Sequence, residues 1–165
     1  MPTVTVESLV PAAMGADADT VFSAICDVER FADQTDEVRS VTVTARQDGT
    51  QDSEWAVTFR NGILCWSERE RIDHSARTIT FRQLDGDFER FDGEWAVVEF
   101  GPDTIVTFTA HFDLGMPSLA AIIDPIAEEA LRASIQAILR GLLGEELVFL
   151  DTTSYPAASD AERPS

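Results

Sequence analysis

Four stretches of this chain, residues 63–73, 77–84, 88–100 and 104–113, alternate apolar with polar side chains and are joined by the short segments DHSA, DGD and GPD. A period of two gives each strand one apolar face, and connections this short allow only antiparallel neighbours. From Ser118 the period lengthens: Ile123, Ile126 and Ala127, Ala130 and Leu131, Ser134 and Ile135, Ile138 and Leu142 share one helical stripe. A meander of strands needs a second layer over its apolar face, and the seven strands of this chain do not provide a second packed layer of strands. One long helix running towards Leu150 must supply that layer. A curved sheet closed by a single helix encloses a hollow rather than a solid core.

The residues upstream complete the sheet. Residues 3–10 alternate, Val4 and Val6 against Thr3 and Thr5, until Pro11 ends the strand. Asp17 stands at the N-cap position of a helix carrying Val21, Phe22, Ile25 and Cys26, and a second short helix carries Phe31. Residues 37–46 and 53–60 alternate again around a DGTQD turn, and Asn61-Gly62 is a dipeptide that suits a type I′ hairpin turn. Pro125 is expected to kink the long helix or to begin its main segment. The expected class is α+β: a curved seven-stranded antiparallel sheet wrapped around a long C-terminal helix, with two short helices after the first strand. Residues 1–150 are expected to form one domain, and the polar, proline-bearing residues 151–165 a disordered tail.

Thirty acidic residues against twelve basic ones give a net charge of −18, a field that repels nucleic acid and anionic bilayers. All twelve basic residues are arginine, so Schiff-base and lysine-nucleophile chemistry are excluded. No apolar run approaches the roughly 18–20 residues of a membrane span, and the N-terminus lacks a secretory pattern, so a cytoplasmic protein is expected. Cys26 and Cys65 form no metal-ligand spacing, and no nucleotide-binding or nucleophile-elbow motif is present, so no metal or cofactor is expected.

DVERF at 27–31, LDGDFERFDGEW at 84–95 and FTAHFDLGMPS at 108–118, in this order of elements, resemble the START-like helix-grip (SRPBCC) superfamily. Within it the likeness is to the polyketide cyclase/aromatase group and to the coenzyme Q-binding proteins, over about residues 3–148. The resemblance implies an internal cavity for a hydrophobic small molecule. In one form this is a polyketide-like substrate that the protein cyclises and dehydrates, delivered by an acyl carrier protein. In the other it is a quinone or lipid that is bound or carried without chemistry. Docking an acidic carrier on so acidic a chain requires a local basic patch, for which Arg69 and Arg71 with Arg60 are the candidates. Where the aromatase/cyclases carry an arginine, and a serine two residues earlier, this sequence has Glu70 and Glu68. A family tyrosine aligns with Val38, and a hydroxyl is kept at Ser134.

Alternation selects the side chains that face such a cavity: Trp55, Phe59, Trp66, Phe81, Gln83, Phe91, Trp95, Phe108 and Phe112 from the strands, and Ser134 from the helix. A lining this bulky suits a cavity of a few hundred cubic ångströms, although the same residues could simply fill a core. Glu68 and Glu70 share the face of Trp66 and are the candidate catalytic pair, because two carboxyls in an apolar cavity must be paired, hydrogen-bonded or protonated. A slip of one residue would instead turn Ser67, Arg69 and Arg71 inward. His111 falls on the opposite, outward face, and His74 lies in a turn.

Overall fold

The structure, a computed structural model, describes residues 2–150; the expected tail at 151–165 lies outside the described residues. Among these, eight strands pair antiparallel in one sheet: β1 (Thr3–Val10), β2 (Val38–Ala45), β3 (Thr50–Phe59), β4 (Gly62–Asp73), β5 (Thr78–Gly86), β6 (Arg90–Phe100), β7 (Asp103–Asp113) and β8 (Val148–Leu150). Their spatial order is β2-β3-β4-β5-β6-β7-β1-β8. The curved sheet holds α2 (Ala120–Leu143) against its apolar face, together with α1 (Ala18–Cys26) and the short 3-10 helix Val28–Asp33. This is the helix-grip arrangement that the sequence pattern called for.

Alternation is complete in β7, where Thr104, Val106, Phe108, Ala110 and Phe112 are buried and their neighbours are not. Strand β1 repeats it with Val4, Val6, Ser8 and Val10. The inner faces meet Val21, Phe22 and Ile25 of α1 and Ala127, Ile135, Ile138 and Leu139 of α2. Asp17 caps α1 as expected, its side chain accepting the Thr20 N–H at 2.8 Å.

Two expectations are corrected. The long helix stops at Leu143 because Gly144 takes φ 110°, a backbone conformation that other residues rarely adopt. The chain then extends, and Val148–Leu150 pairs with β1, Leu9 opposite Val148 and Glu7 opposite Leu150. The sheet therefore gains an eighth strand, and Pro125 lies inside α2 near its start. The β3–β4 hairpin also turns one residue earlier than Asn61-Gly62 suggested. Phe59 pairs with Gly62, so Arg60 and Asn61 form the two-residue loop, and of the two only Arg60 has positive φ (58°). That is the pattern of a type II′ rather than a type I′ turn. The cross-strand pair Trp55 and Trp66 fixes this register; a loop at Asn61-Gly62 would put Trp55 opposite Glu68.

Gly93 in β6 allows the strands to close around the inner aromatic rings. A Cβ there would collide with the Thr109 carbonyl of β7 and with the Phe81 ring. Gly93→Ala is therefore expected to cost about 3 kcal/mol, at the upper end for overpacking, read as a lowered midpoint in urea unfolding with an unchanged slope.

Candidate functional site

Seven aromatic rings close into a cycle between the sheet and α2. Trp55 stacks with Trp66 (centroids 5.6 Å apart, planes 6° from parallel), Trp66 meets Phe91 at 5.2 Å, and Phe91 meets Phe81 at 5.4 Å. Phe81 stacks on Phe108 at 5.7 Å, Phe108 contacts Trp95 at 4.7 Å, and Phe31 joins Trp95 to Trp55 at 5.7 and 5.8 Å. Most of these contacts are edge-to-face or tilted, the geometry favoured by the charge distribution of aromatic rings.

The cycle, with Val57, Glu68 and the helix residues Leu131, Ser134, Ile135 and Ile138, surrounds a cavity of about 50 Å³. A second void of about 20 Å³ shares Val57, Leu131 and Ser134 with it and reaches Phe59 and Leu64 beside the β3–β4 hairpin. The expectation of a few hundred cubic ångströms is corrected: the aromatic side chains themselves occupy the hollow. A larger concavity, about 740 Å³, opens to solvent among the outward-facing residues Thr80, Arg82, Asp92, Glu94, Thr109 and His111. It is open to solvent, mixes polar and apolar surface, and its outward-facing residues lie on the opposite side of the sheet from Glu68.

Of the residues singled out by alternation, Trp55, Trp66, Phe81, Phe91, Trp95, Phe108 and Ser134 line the cavity. Phe59 lines only the second void, and Phe112 is buried in the core outside both. Gln83 is drawn away: its side-chain N–H donates to the Phe88 carbonyl at 2.9 Å and its oxygen accepts the Phe88 N–H at 3.3 Å. The amide thus replaces strand pairing where β5 and β6 part beyond Arg82 and Asp92. Phe31, Leu131 and Ile135 were not selected, because a 3-10 helix and a broad helical stripe lack the strict period of a strand.

Glu68 and Glu70 both face inward, 4 % and 2 % exposed, but only Glu68 borders the cavity. Glu68 Oε1 accepts the Trp66 indole N–H at 2.8 Å. Behind it, Glu70 accepts from Gln51 Nε2 at 2.6 Å and from Ser53 Oγ at 2.8 Å, and Ser53 Oγ in turn accepts the Trp55 indole N–H at 2.7 Å. Register explains the cluster, since β3 places Gln51 opposite Glu70 and Ser53 opposite Glu68. The signal for Ser53 and Gln51 was present in the sequence: both share the face of Trp55 at steps of two.

Burial pushes the Glu68 carboxyl well above the ordinary glutamate value of 4.5; its hydrogen bond to Glu70 and the repulsion between the two add to the effect, and the Trp66 N–H opposes it. Burial therefore favours the protonated form of Glu68 over its carboxylate. Cys26, at the end of α1, faces the same cluster: burial, then the Glu70 charge, push its thiol up to about 11.

Among the described residues, no arginine is bonded to this pair. Arg82 is on the outer face opposite Asp92, and Arg69 there binds Asp52 through two bonds of 2.8 and 3.1 Å. Of the expected basic patch, Arg69 and Arg71 line one outward concavity together with Arg82, while Arg60 sits in the hairpin turn at the far end of the same two strands. His111 is outward, bonded to Thr3 at 3.0 Å, and the His74 ring packs edge-on against Phe22.

A family of proteins described as polyketide cyclase / dehydrase and lipid transport matches residues 14–139. The chain belongs to this family. Solved structures of the same architecture include a protein of Thermus thermophilus (26% identity, TM-score 0.75, covering 86% of this chain and 94% of that one). Two others are the Zhui aromatase/cyclase of a Streptomyces species (21%, 0.72, 95% and 96%) and a START superfamily protein of Mycobacterium smegmatis (18%, 0.71, 87% and 97%). No curated protein matches the sequence. Among the described residues, no helix is long and apolar enough to cross a membrane.

The raised carboxyl has a consequence for stability. Below 4.5 both folded and unfolded chains hold the Glu68 proton; above it the unfolded chain ionises while the folded one resists. Stability therefore falls as pH rises towards the folded value, by up to about 1.4 kcal/mol per pH unit from this one group. Glu68→Gln keeps the shape and the acceptor for Trp66 and removes this loss. Urea unfolding is expected to show the variant more stable than wild type at pH 8, with the difference vanishing towards pH 4.

Proposed function

We propose that this protein binds an oxygen-bearing, ring-forming hydrophobic molecule within the aromatic cycle and acts as a cyclase/dehydratase of polyketide type, with Glu68 as its acid. The observation that carries this reading is a buried carboxyl set in an otherwise apolar cavity wall, biased by that burial towards its protonated form and backed by a second carboxyl. In an aldol closure, an α-carbon loses a proton and forms the new C–C bond, and the attacked carbonyl oxygen gains a proton. In the dehydration that follows, the hydroxyl leaves as water with a proton from the acid, and a second α-hydrogen is given up. Each step returns one proton for each one delivered, so a single acid working with its conjugate base suffices. The cavity walls restrict which carbon meets which carbonyl. A ligand larger than the cavity must displace side chains, and the void beside Phe59 and Leu64 offers the direction of least packing.

The second reading is a non-catalytic quinone or lipid carrier. It is favoured by the scarcity of polar groups in the wall, where Glu68 and Ser134 stand alone among apolar residues. An acyl carrier protein is the delivery partner that the cyclase reading suggests, and Arg69, Arg71 and Arg82, which line one outward concavity, are the basic residues available to it.

Native mass spectrometry of the purified protein, with identification of any extracted small molecule, separates the two; a retained quinone or isoprenoid would favour the carrier. For the cyclase, a poly-β-keto mimic is expected to cyclise in the presence of the wild type. Glu68→Gln should slow that reaction by about 10²–10⁴ while leaving binding of the mimic nearly unchanged. A Glu68→Gln variant with wild-type turnover removes the acid role.

A further inference from the structure

We propose that Ser53 and Gln51 are positioning residues that assign the proton of the buried carboxyl pair to Glu68 and keep Glu70 as the carboxylate. The directions of the hydrogen bonds carry this assignment. An indole N–H only donates, so Ser53 Oγ must accept from Trp55 (2.7 Å), and its single O–H is left for Glu70 Oε2 (2.8 Å). Gln51 Nε2 brings a second donor to Glu70 Oε1 at 2.6 Å, so both oxygens of Glu70 are acceptors. Glu68 receives one donor, the Trp66 indole at Oε1, which leaves its other oxygen as the place for a proton.

Two carboxyls this close and this buried cannot both be ionised, and the one with two donors holds the charge better. Among the described residues, Cys26 from α1 is the other titratable group that senses the cluster, and burial keeps its thiol neutral. The outward arginines of β4 lie on the other side of the sheet and do not compete. The acidic O–H is therefore on the carboxyl that borders the cavity, and the charge sits one step behind it. A ligand meets a donor there, so the wall accepts a carbonyl, enol or phenol oxygen and disfavours a carboxylate. The use made of the proton rests on the cyclase reading; its position does not.

Infrared spectroscopy of the ligand-free protein at neutral pD tests the position directly, since exposed carboxyls are ionised there and only a buried acid gives a protonated C=O stretch. The stretch is expected in the wild type and in Glu70→Gln and should be lost in Glu68→Gln. Adding Ser53→Ala and Gln51→Leu to Glu68→Gln removes both donors from Glu70 and is expected to restore the stretch. The amide band of each spectrum reports whether that variant is folded, and if the triple variant is not, the two single variants decide. A stretch that survives Glu68→Gln, disappears in Glu70→Gln or is missing from the wild type overturns the assignment, as does a folded triple variant without it. Failure of the cyclase reading would show in turnover with these bands unchanged.

Discussion

The site depends on one cross-strand pair. Trp55 lies opposite Trp66, and every inward residue of β3 and β4 follows from that register. It brings Gln51, Ser53, Val57, Glu68 and Glu70 to the same side of the sheet, and it sends Arg69 and Arg71 to the other. Because side chains alternate strictly, no intermediate arrangement exists: a slip of one residue would bury two arginines and expose the carboxyl pair. The stacked indoles, each of whose N–H groups is satisfied by a member of the polar cluster, oppose such a slip with both packing and hydrogen bonds.

The polar cluster is tolerated because it is almost closed. An unpartnered carboxyl in this position would be costly, whereas here the two carboxyls, one hydroxyl, one amide and two indoles engage one another. Keeping one carboxyl neutral lowers the cost further, since only one charge is taken out of water. Replacing buried charged groups by well-packed apolar ones is often neutral or stabilising in proteins, so burial alone does not call for such a cluster.

The strands were legible because period two is unambiguous over runs as long as β7, and the same period picked out most of the aromatic cycle. Legibility failed where a local cue met a stronger distant one. Asn61-Gly62 is a good turn dipeptide, yet the tryptophan pair moved the turn to Arg60-Asn61. The apolar stripe of the long helix continues past Leu143, but Gly144 ends the helix and β1 has a free edge for the residues beyond. Gln83 alternates correctly with Phe81 and still leaves the cavity, because a bulge in the β4–β5 pairing and the parting of β5 from β6 leave backbone groups at Phe88 for it to satisfy. Cavity volume was the least legible quantity: alternation says which rings point inward and nothing of how far they interleave.

The three tryptophans of the chain are Trp55, Trp66 and Trp95, and all three belong to the aromatic cycle. Their near-ultraviolet emission therefore arises entirely from the walls of one small space, with no indole elsewhere to dilute it. Two of the three touch the polar cluster through their N–H groups, so the excited state senses both the packing of the rings and the charge behind them. The protein carries its own optical probe of occupancy, placed by the same register that builds the site.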